Sequence, residues 1–515
     1  VSQFSVAVYT YLVRNIGTMQ SYLTVATMAA TTGPDDPEFF WVESTRDVYV
    51  WDPDSTETAD GRRVVQLSGT TGRAIRMRIA HPKWTLASEF WIDPTSGDDT
   101  NTGITISSPL RTIGELCDRL GGKISKPVTV WFLSKPLPAD PLSGLVLVSA
   151  PDSAFSTSPV YLTVRGTATT LATGAVTTIT AKNAAANTPI VITDTSIASF
   201  SAYVGRRIRI TSGAGIGKTG IIIKAPSANT AWVSDTINPE TGALTSNYTS
   251  GSAYVIESVV SFTGEEGLPM AALLTGSNAS RSGESYQSFQ VQYTDIRFEL
   301  PAYVYVNSRS ATSFNSCDIV GSGYNQFSGT GTTFVGCTIR PDTGGMGIDV
   351  RQPTIMSSMT GCAVVGPGAS PLFSFCDISI VGSAFVGCQL YQDTYGAAQI
   401  FSTGFFDCTA SDGSIVAGDG GTVHLAGSVY GTGNTNGVRA AGGWVRTSAG
   451  TLPSVTATNY DVQVDSSSQV LPSLEASAGG SLPALVNMTT WAHYSSNNRK
   501  EFGFGTGSSI TGKQD

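Results

Sequence analysis

One hexapeptide recurs in the second half of this 515-residue chain: FNSCDI (314–319), FVGCTI (334–339), MTGCAV (359–364), FVGCQL (385–390) and FFDCTA (405–410). The chain has seven cysteines, Cys117, Cys317, Cys337, Cys362, Cys376, Cys388 and Cys408, and six of them fall in this stretch at intervals of 20, 25, 14, 12 and 20. Intervals of 14 and 12 make one of 26 if Cys376 lies on a second strand of the same coil. The series then reads 20, 25, 26 and 20, and YTDIRF (293–298) extends it upstream with Ile296 in the cysteine's place. A period of this length built from short strands is the mark of a solenoid, in which each coil stacks on the last.

The hexapeptide has an internal logic. The residue before the cysteine (Ser316, Gly336, Gly361, Phe375, Gly387 or Asp407) is glycine three times, which fits a bend with unusual backbone angles. After the bend, the cysteine and Ile319, Ile339, Val364, Ile378 and Leu390 point inward by the two-residue period of a strand. The residues between point out, giving the column Arg297, Asp318, Thr338, Ala363, Gln389 and Thr409, with Arg297 stacked beside Asp318. Cysteine here is a small hydrophobe. Zinc is excluded because no Cys-x-x-Cys pair occurs, and a disulfide framework is disfavoured by the odd count and the length. Free, buried thiols are expected.

Composition agrees with an all-β chain. Charged residues are 13% and glycines number 56, a poor mix for surface helices and a good one for strands joined by tight turns. A net charge of −9 argues against nucleic-acid binding, which needs a basic face. The opening stretch is apolar but interrupted by Arg14, Asn15 and Gln20, so neither a membrane span nor a signal peptide is read there. Synthesis in a cytoplasm is expected.

Five regions follow along the chain. Residues 1–85 form an N-terminal region holding a small β unit around 48–77. Residues 86–166 contain a lead-in strand, the helix LRTIGELCDRL and the first coils. The apolar residues of that helix (Leu110, Ile113, Leu116, Cys117 and Leu120) fall at helical spacing, as for a cap on the solenoid end. Residues 167–260 change to short alternating strands and read as an inserted small β domain. Residues 261–450 are the parallel β-helix, and 451–515 a C-terminal β or irregular region.

Candidate chemistry is sparse. SGAGIGKTG (212–220) has Gly217-Lys218-Thr219, but Ser212 stands where a phosphate loop needs glycine, and strands flank it; it reads as a hairpin turn. DPTSGDDTNTG (93–103) gathers Asp93, Asp98 and Asp99; an Asx-rich turn is favoured over a calcium loop. Outward carboxylates for glycoside chemistry are Asp295, Glu299, Asp318, Asp349 and Asp377, but Asp318 faces Arg297 and reads as an exposed ion pair. His81, His424 and His493 are scattered. No catalytic residue is named, and no cofactor or metal site is expected.

Four stretches together resemble bacteriophage tailspikes and tail fibres with a right-handed parallel β-helix of pectate-lyase-like architecture. They are VYVWDPDSTETADGRRVVQL, WIDPTSGDDTNTGITISSPLRTI, the FNSCDI series and GSVYGTGNTNGVRAAGGWVR. The resemblance implies a homotrimeric virion appendage. Its N-terminal region would attach to tail or baseplate proteins, and its shaft would meet host-surface polysaccharide through hydroxyls and aromatics such as Trp444 or Tyr430, which read equally as packing residues. Some such proteins cleave glycans, as hydrolases or lyases, and others only bind. A virion structural component without receptor contact is the alternative, and a secreted polysaccharide lyase or hydrolase a third reading.

Overall fold

The structure, a computed structural model, describes residues 19–31, 39–42, 47–76, 87–120, 127–135, 162–263, 291–300 and most of 305–472, apart from short gaps, with strands Phe502–Phe504 and Ile510–Gly512. It divides into two compact units, Val1–Leu86 with Leu116–Lys123, and Ala87–Glu115 with Ile124–Asp515.

The first unit is a five-stranded sheet with Met19–Tyr22, Phe39–Val42, Asp47–Asp52, Arg73–Arg76 and Val64–Gln66 in spatial order. A short helix, Val25–Ala29, starts on a capping box between Thr24 and Thr27 and sends Met28 into the core beside Phe40, Tyr49 and Trp51.

The second unit is a parallel β-helix of about 11 turns, so the solenoid expectation holds. Its clearest layer is a twelve-stranded sheet running from Glu89–Ile92 to Gln469–Pro472, with every neighbouring pair that has been described parallel. The ladders thus continue beyond residue 450. Inward residues stack coil on coil: Tyr293 on Phe314 at 5.3 Å and Phe314 on Phe334 at 5.2 Å between ring centroids.

The bend after each strand of this sheet carries the repeat. Asp295, Ser316, Gly336, Gly361, Gly382 and Ser402 all have φ between 49° and 60°. Glycine reaches that region without strain; the Asp and Ser exceptions are short and polar. Each bend N–H from Asp295 to Gly382 donates to a carbonyl of the following coil, Gly336 to Thr360 and Gly361 to Val381 for example, both at 2.9 Å.

The cysteine series itself needs one correction. The register pairs Ala363 with Ala384 and Ala384 with Gly404. The column therefore runs Ile296, Cys317, Cys337, Cys362, Ser383, Thr403. IVGSAF (380–385) and IFSTGF (400–405) continue the repeat, whereas Cys388 and Cys408 sit on a later bend of the coil, after Gly387 (φ 62°) and Asp407 (φ 53°). The substitution is physical: Cys317, Cys337 and Cys362 direct their thiols to the carbonyl two residues back, at 3.5, 3.5 and 3.6 Å. Ser383 and Thr403 donate their hydroxyls to the same relative carbonyl, at 3.3 and 2.8 Å. At these five positions a thiol and a hydroxyl serve alike. Five cysteines, Cys317, Cys337, Cys362, Cys388 and Cys408, are free and buried, while Cys376 and the side chain of Cys117 lie outside the described residues.

An antiparallel domain is spliced into one of these bends. Thr294 pairs with Arg165, so Gly166 occupies the bend position of Asp295. A Cβ there would lie 2.2 Å from the Asp295 carbonyl oxygen, which requires glycine. The chain then leaves on Ala168–Ala175 and returns on Ala253–Thr263. The returning strand pairs antiparallel with Ala168–Ala175 and Arg207–Ile210, and its last four residues pair parallel with Ile296–Glu299 of the solenoid. The domain has its own core of Ile190, Ile192, Phe200, Ile208, Ile222, Tyr254 and Ile256. Its Ser212–Lys218 segment is a turn between the antiparallel strands Arg207–Ile210 and Thr219–Ser227, with positive φ at Gly213, Gly215 and Gly217.

Candidate functional site: two faces of the solenoid

The strands that follow the bend carry the expected outward column, and the inserted domain lies over that face. Ile221, Ile223 and Trp232 of the insert pack on Ala363, Ala384, Val386, Phe406 and Tyr430. Thr338 is 4% exposed and Ala363 is fully buried. Gln389 pairs with Pro371 rather than following Ala363, and donates to the Gly413 carbonyl. Thr409 is exposed but belongs to the later bend. The expected glycan column is therefore corrected: Thr338 and Ala363 are buried, Ala363 under the insert, while Gln389 and Thr409 belong to other parts of the coil. Of the two readings of Tyr430, sugar contact or packing residue, the second describes its surroundings, with Phe406 against its ring and Lys182 above it. The side chain of Trp444 lies outside the described residues.

Charge locks the rim of this covered face. Lys182 pairs with Asp235 at 3.1 Å and also donates to the Ser402 carbonyl, while Lys224 pairs with Asp407 at 2.6 Å. Arg207 is held between Asp295 and Glu257, and Arg209 shares Glu257. Burial penalises the Arg207 charge, but the two carboxylates outweigh it and hold the guanidinium above its ordinary range. Asp318 receives Arg297 at 2.8 Å and a two-pronged Arg340 at 3.0 and 2.5 Å. The Arg297–Asp318 contact was expected, but as an exposed pair; the Asp318 side chain is 11% exposed and is part of a cluster. Among the outward carboxylates read as candidates, Asp295, Glu299 and Asp318 are bound to guanidinium groups, and Asp377 accepts the Ala397 N–H. The side chain of Asp349 lies outside the described residues. This is clamping chemistry, with every described seam carboxylate neutralised.

The other face is the twelve-stranded sheet. Its outward register runs Glu89, Thr129, Thr163, Gln292, Ser313, Thr333, Ser358, Ser379, Gln399, His424. All ten are partly or fully exposed. Strand spacing puts neighbouring hydroxyls and amides about 4.8 Å apart. At the lead-in end the adjacent outward column begins with Trp91 and Trp131, stacked at 5.0 Å and 7° between planes, and Arg165 lies 4.7 Å over the Trp131 ring. Among the described residues the shielded Trp131 Nε1 has no acceptor. Sequence reasoning missed this face because it followed the residue after the cysteine. The signal was one strand earlier, in the polar residue ahead of each aromatic or aliphatic: Ser313 before Phe314, Thr333 before Phe334, Ser358 before Met359.

The acidic lead-in loop is structural. Asp93 takes the hydroxyls of Ser96 and Ser134 and two backbone N–H groups; burial opposes its charge, yet these bonds hold its carboxyl below the usual range. Asp99 accepts the N–H groups of Arg111 and Thr112 and the Thr112 hydroxyl at the start of helix Ile113–Leu120. Asp98 accepts the Thr100 N–H in an Asx turn. Among the described residues no helix is long and apolar enough to cross a membrane.

No protein-family model and no curated protein matches the sequence. Among solved structures the chain is similar to the tailspike protein gp49 of Acinetobacter baumannii bacteriophage Fri1, a capsular polysaccharide depolymerase. Identity is 9%, the TM-score is 0.26, and the match covers 88% of this chain and 76% of that one. It is also similar to the tailspike protein gp49 of Pseudomonas phage LKA1, at 10% identity and a TM-score of 0.18, covering 68% of this chain and 66% of that one. The fold assignment rests on the strand ladders themselves.

Proposed function

We propose that this chain is a tail spike or fibre of a bacteriophage and that its open sheet is the surface that meets host polysaccharide. The carrying observation is the solvent-accessible ladder of mostly half-exposed Ser, Thr and Gln side chains with a stacked tryptophan pair at one end. Hydroxyl and amide groups both donate and accept, as sugar hydroxyls do. A long flat ladder suits a chain better than a small closed ligand. The N-terminal unit would hold the protein to the virion, and three copies would form the appendage. The face is read as a binding surface. If cleavage accompanies binding, its carboxylates lie outside the ion-paired set above.

The test is adsorption. Purified protein is expected to bind host cells and to compete with virions for them. Changing Ser358 and Ser379 together to Arg is expected to cut that binding about tenfold or more, with the melting temperature unchanged. A protein that leaves adsorption untouched belongs to the structural-component reading. Binding that survives the double change moves the receptor site off this face.

A further inference from the structure

Arg206 of the insert is poorly matched at this seam. Its Nη1 lies 3.5 Å from the Asp318 carboxylate, beyond good hydrogen-bond length, and its side chain is 25% exposed. That carboxylate is already occupied by Arg297 and by both prongs of Arg340. Glu299 is shared between Arg297 and, at 4.0 Å, Lys135. Four cationic groups thus face two carboxylates, on a chain whose net charge is −9. Burial lowers the proton affinity of Arg206 below the arginine norm, with Arg297 and Arg340 adding to the effect against Asp318. A half-buried guanidinium held by one long bond keeps donors that a stronger acceptor could take in place of water.

We infer that Arg206, Arg297 and Arg340 form an oxyanion site at the mouth of the seam, taking one carboxylate, sulfate or phosphate group beside Asp318. Planar guanidinium forks match such groups in pairs, and Arg206 has a single long contact to Asp318 to give up. Because Arg206 belongs to the insert and Arg297 and Arg340 to the solenoid, the bound anion bridges the two and tightens the docking. This does not depend on the glycan reading; the group is either a free anion or one borne by an acidic sugar.

Calorimetry and thermal melting of the full chain test it, with sodium sulfate against sodium chloride at equal ionic strength. Sulfate is expected to bind saturably at one site per chain and to raise the melting temperature. R206Q is expected to weaken sulfate binding about tenfold, the loss of one charged hydrogen-bonding partner, while the melting temperature without sulfate stays at the wild-type value. D318N is expected to tighten sulfate binding, because it removes the competing carboxylate; a purely structural ion cluster would not. A glucuronate disaccharide that binds, where its neutral counterpart does not, assigns the anion to a sugar. Sulfate binding without it assigns a free anion. Absence of saturable binding by both sulfate and the glucuronate disaccharide, or R206Q binding sulfate as the wild type does, overturns the site.

Discussion

The two faces that flank one bend of this solenoid are built from the same repeat and have opposite fates. Before the bend, outward Ser, Thr and Gln side chains stay in contact with solvent. After it, outward Thr338, Ala363 and Ala384 are 4%, 0% and 5% exposed. Nothing in the local pattern separates them, since both alternate inward apolar with outward small residues. The difference is made by a domain entering at a bend upstream, at Gly166, and folding over one face only. Covered, a small outward residue is a docking contact, and an arginine beside it becomes a clamp. Uncovered, the same kind of residue is a hydrogen-bonding surface.

Moving a large charge onto each face is the sharpest way to break the comparison. Ala363→Arg would place an unpaired cation under Ile221 and Ile223, and a loss on the order of 3–5 kcal/mol is expected by denaturant titration. Ser358→Arg, on the open sheet, is expected to stay within about 0.5 kcal/mol. Equal effects would mean that the insert does not rest on that face in solution.

Arg207→Met is expected to cost nearly as much, about 3 kcal/mol or more, because Asp295 and Glu257 would be left facing each other with less compensation. Arg165, which stacks on Trp131 and is 41% exposed, is expected to cost about 1 kcal/mol or less when changed to Met.

The insert should also be the acid-sensitive part. Burial works to raise the Asp194 carboxyl, but bonds from Ser196, Tyr254 and Ala175 outweigh it and hold the carboxyl below its ordinary value of 3.8. A depressed folded pKa means stability that is present above the unfolded value and lost as pH falls through the folded one. Below about pH 4, protection of insert amides in hydrogen exchange is expected to fall before that of the open sheet. Asp194→Asn should remove this pH dependence.

The bends give a smaller contrast. Ser316 sits at φ 51°, so Ser316→Gly is expected to stabilise by up to about 1 kcal/mol. Gly336→Ala is expected to destabilise by about that amount or more, since its φ is 59° and its new Cβ would lie 2.9 Å from Ile237 of the insert.

The smallest effect concerns thiols: Cys317, Cys337, Cys362, Cys388 and Cys408 should not react in native protein, whichever face they lie near. Burial pushes Cys337, Cys362 and Cys388 well up, and Cys408 to about 11.

What the chain states locally is the solenoid. Strand length, inward Phe and Ile, and a glycine or short polar residue ahead of each small donor can all be read from six consecutive residues, because they answer to the two-residue period and to backbone angles. Asp99 beside Thr112, closing the lead-in loop on its helix, follows the same short-range rules. Register was legible only in part. Cys388 copies the motif of Cys337 yet sits at another bend, because a thiol, a Ser hydroxyl and a Thr hydroxyl satisfy the same carbonyl and sequence alone does not rank them. Which face is open was not legible at all. The insert's Ile221 meets Ala363 across more than a hundred residues of chain, and Asp318 meets Arg206 in the same way. Exposure is a property of what lies above a residue, and at this seam that is decided by tertiary packing.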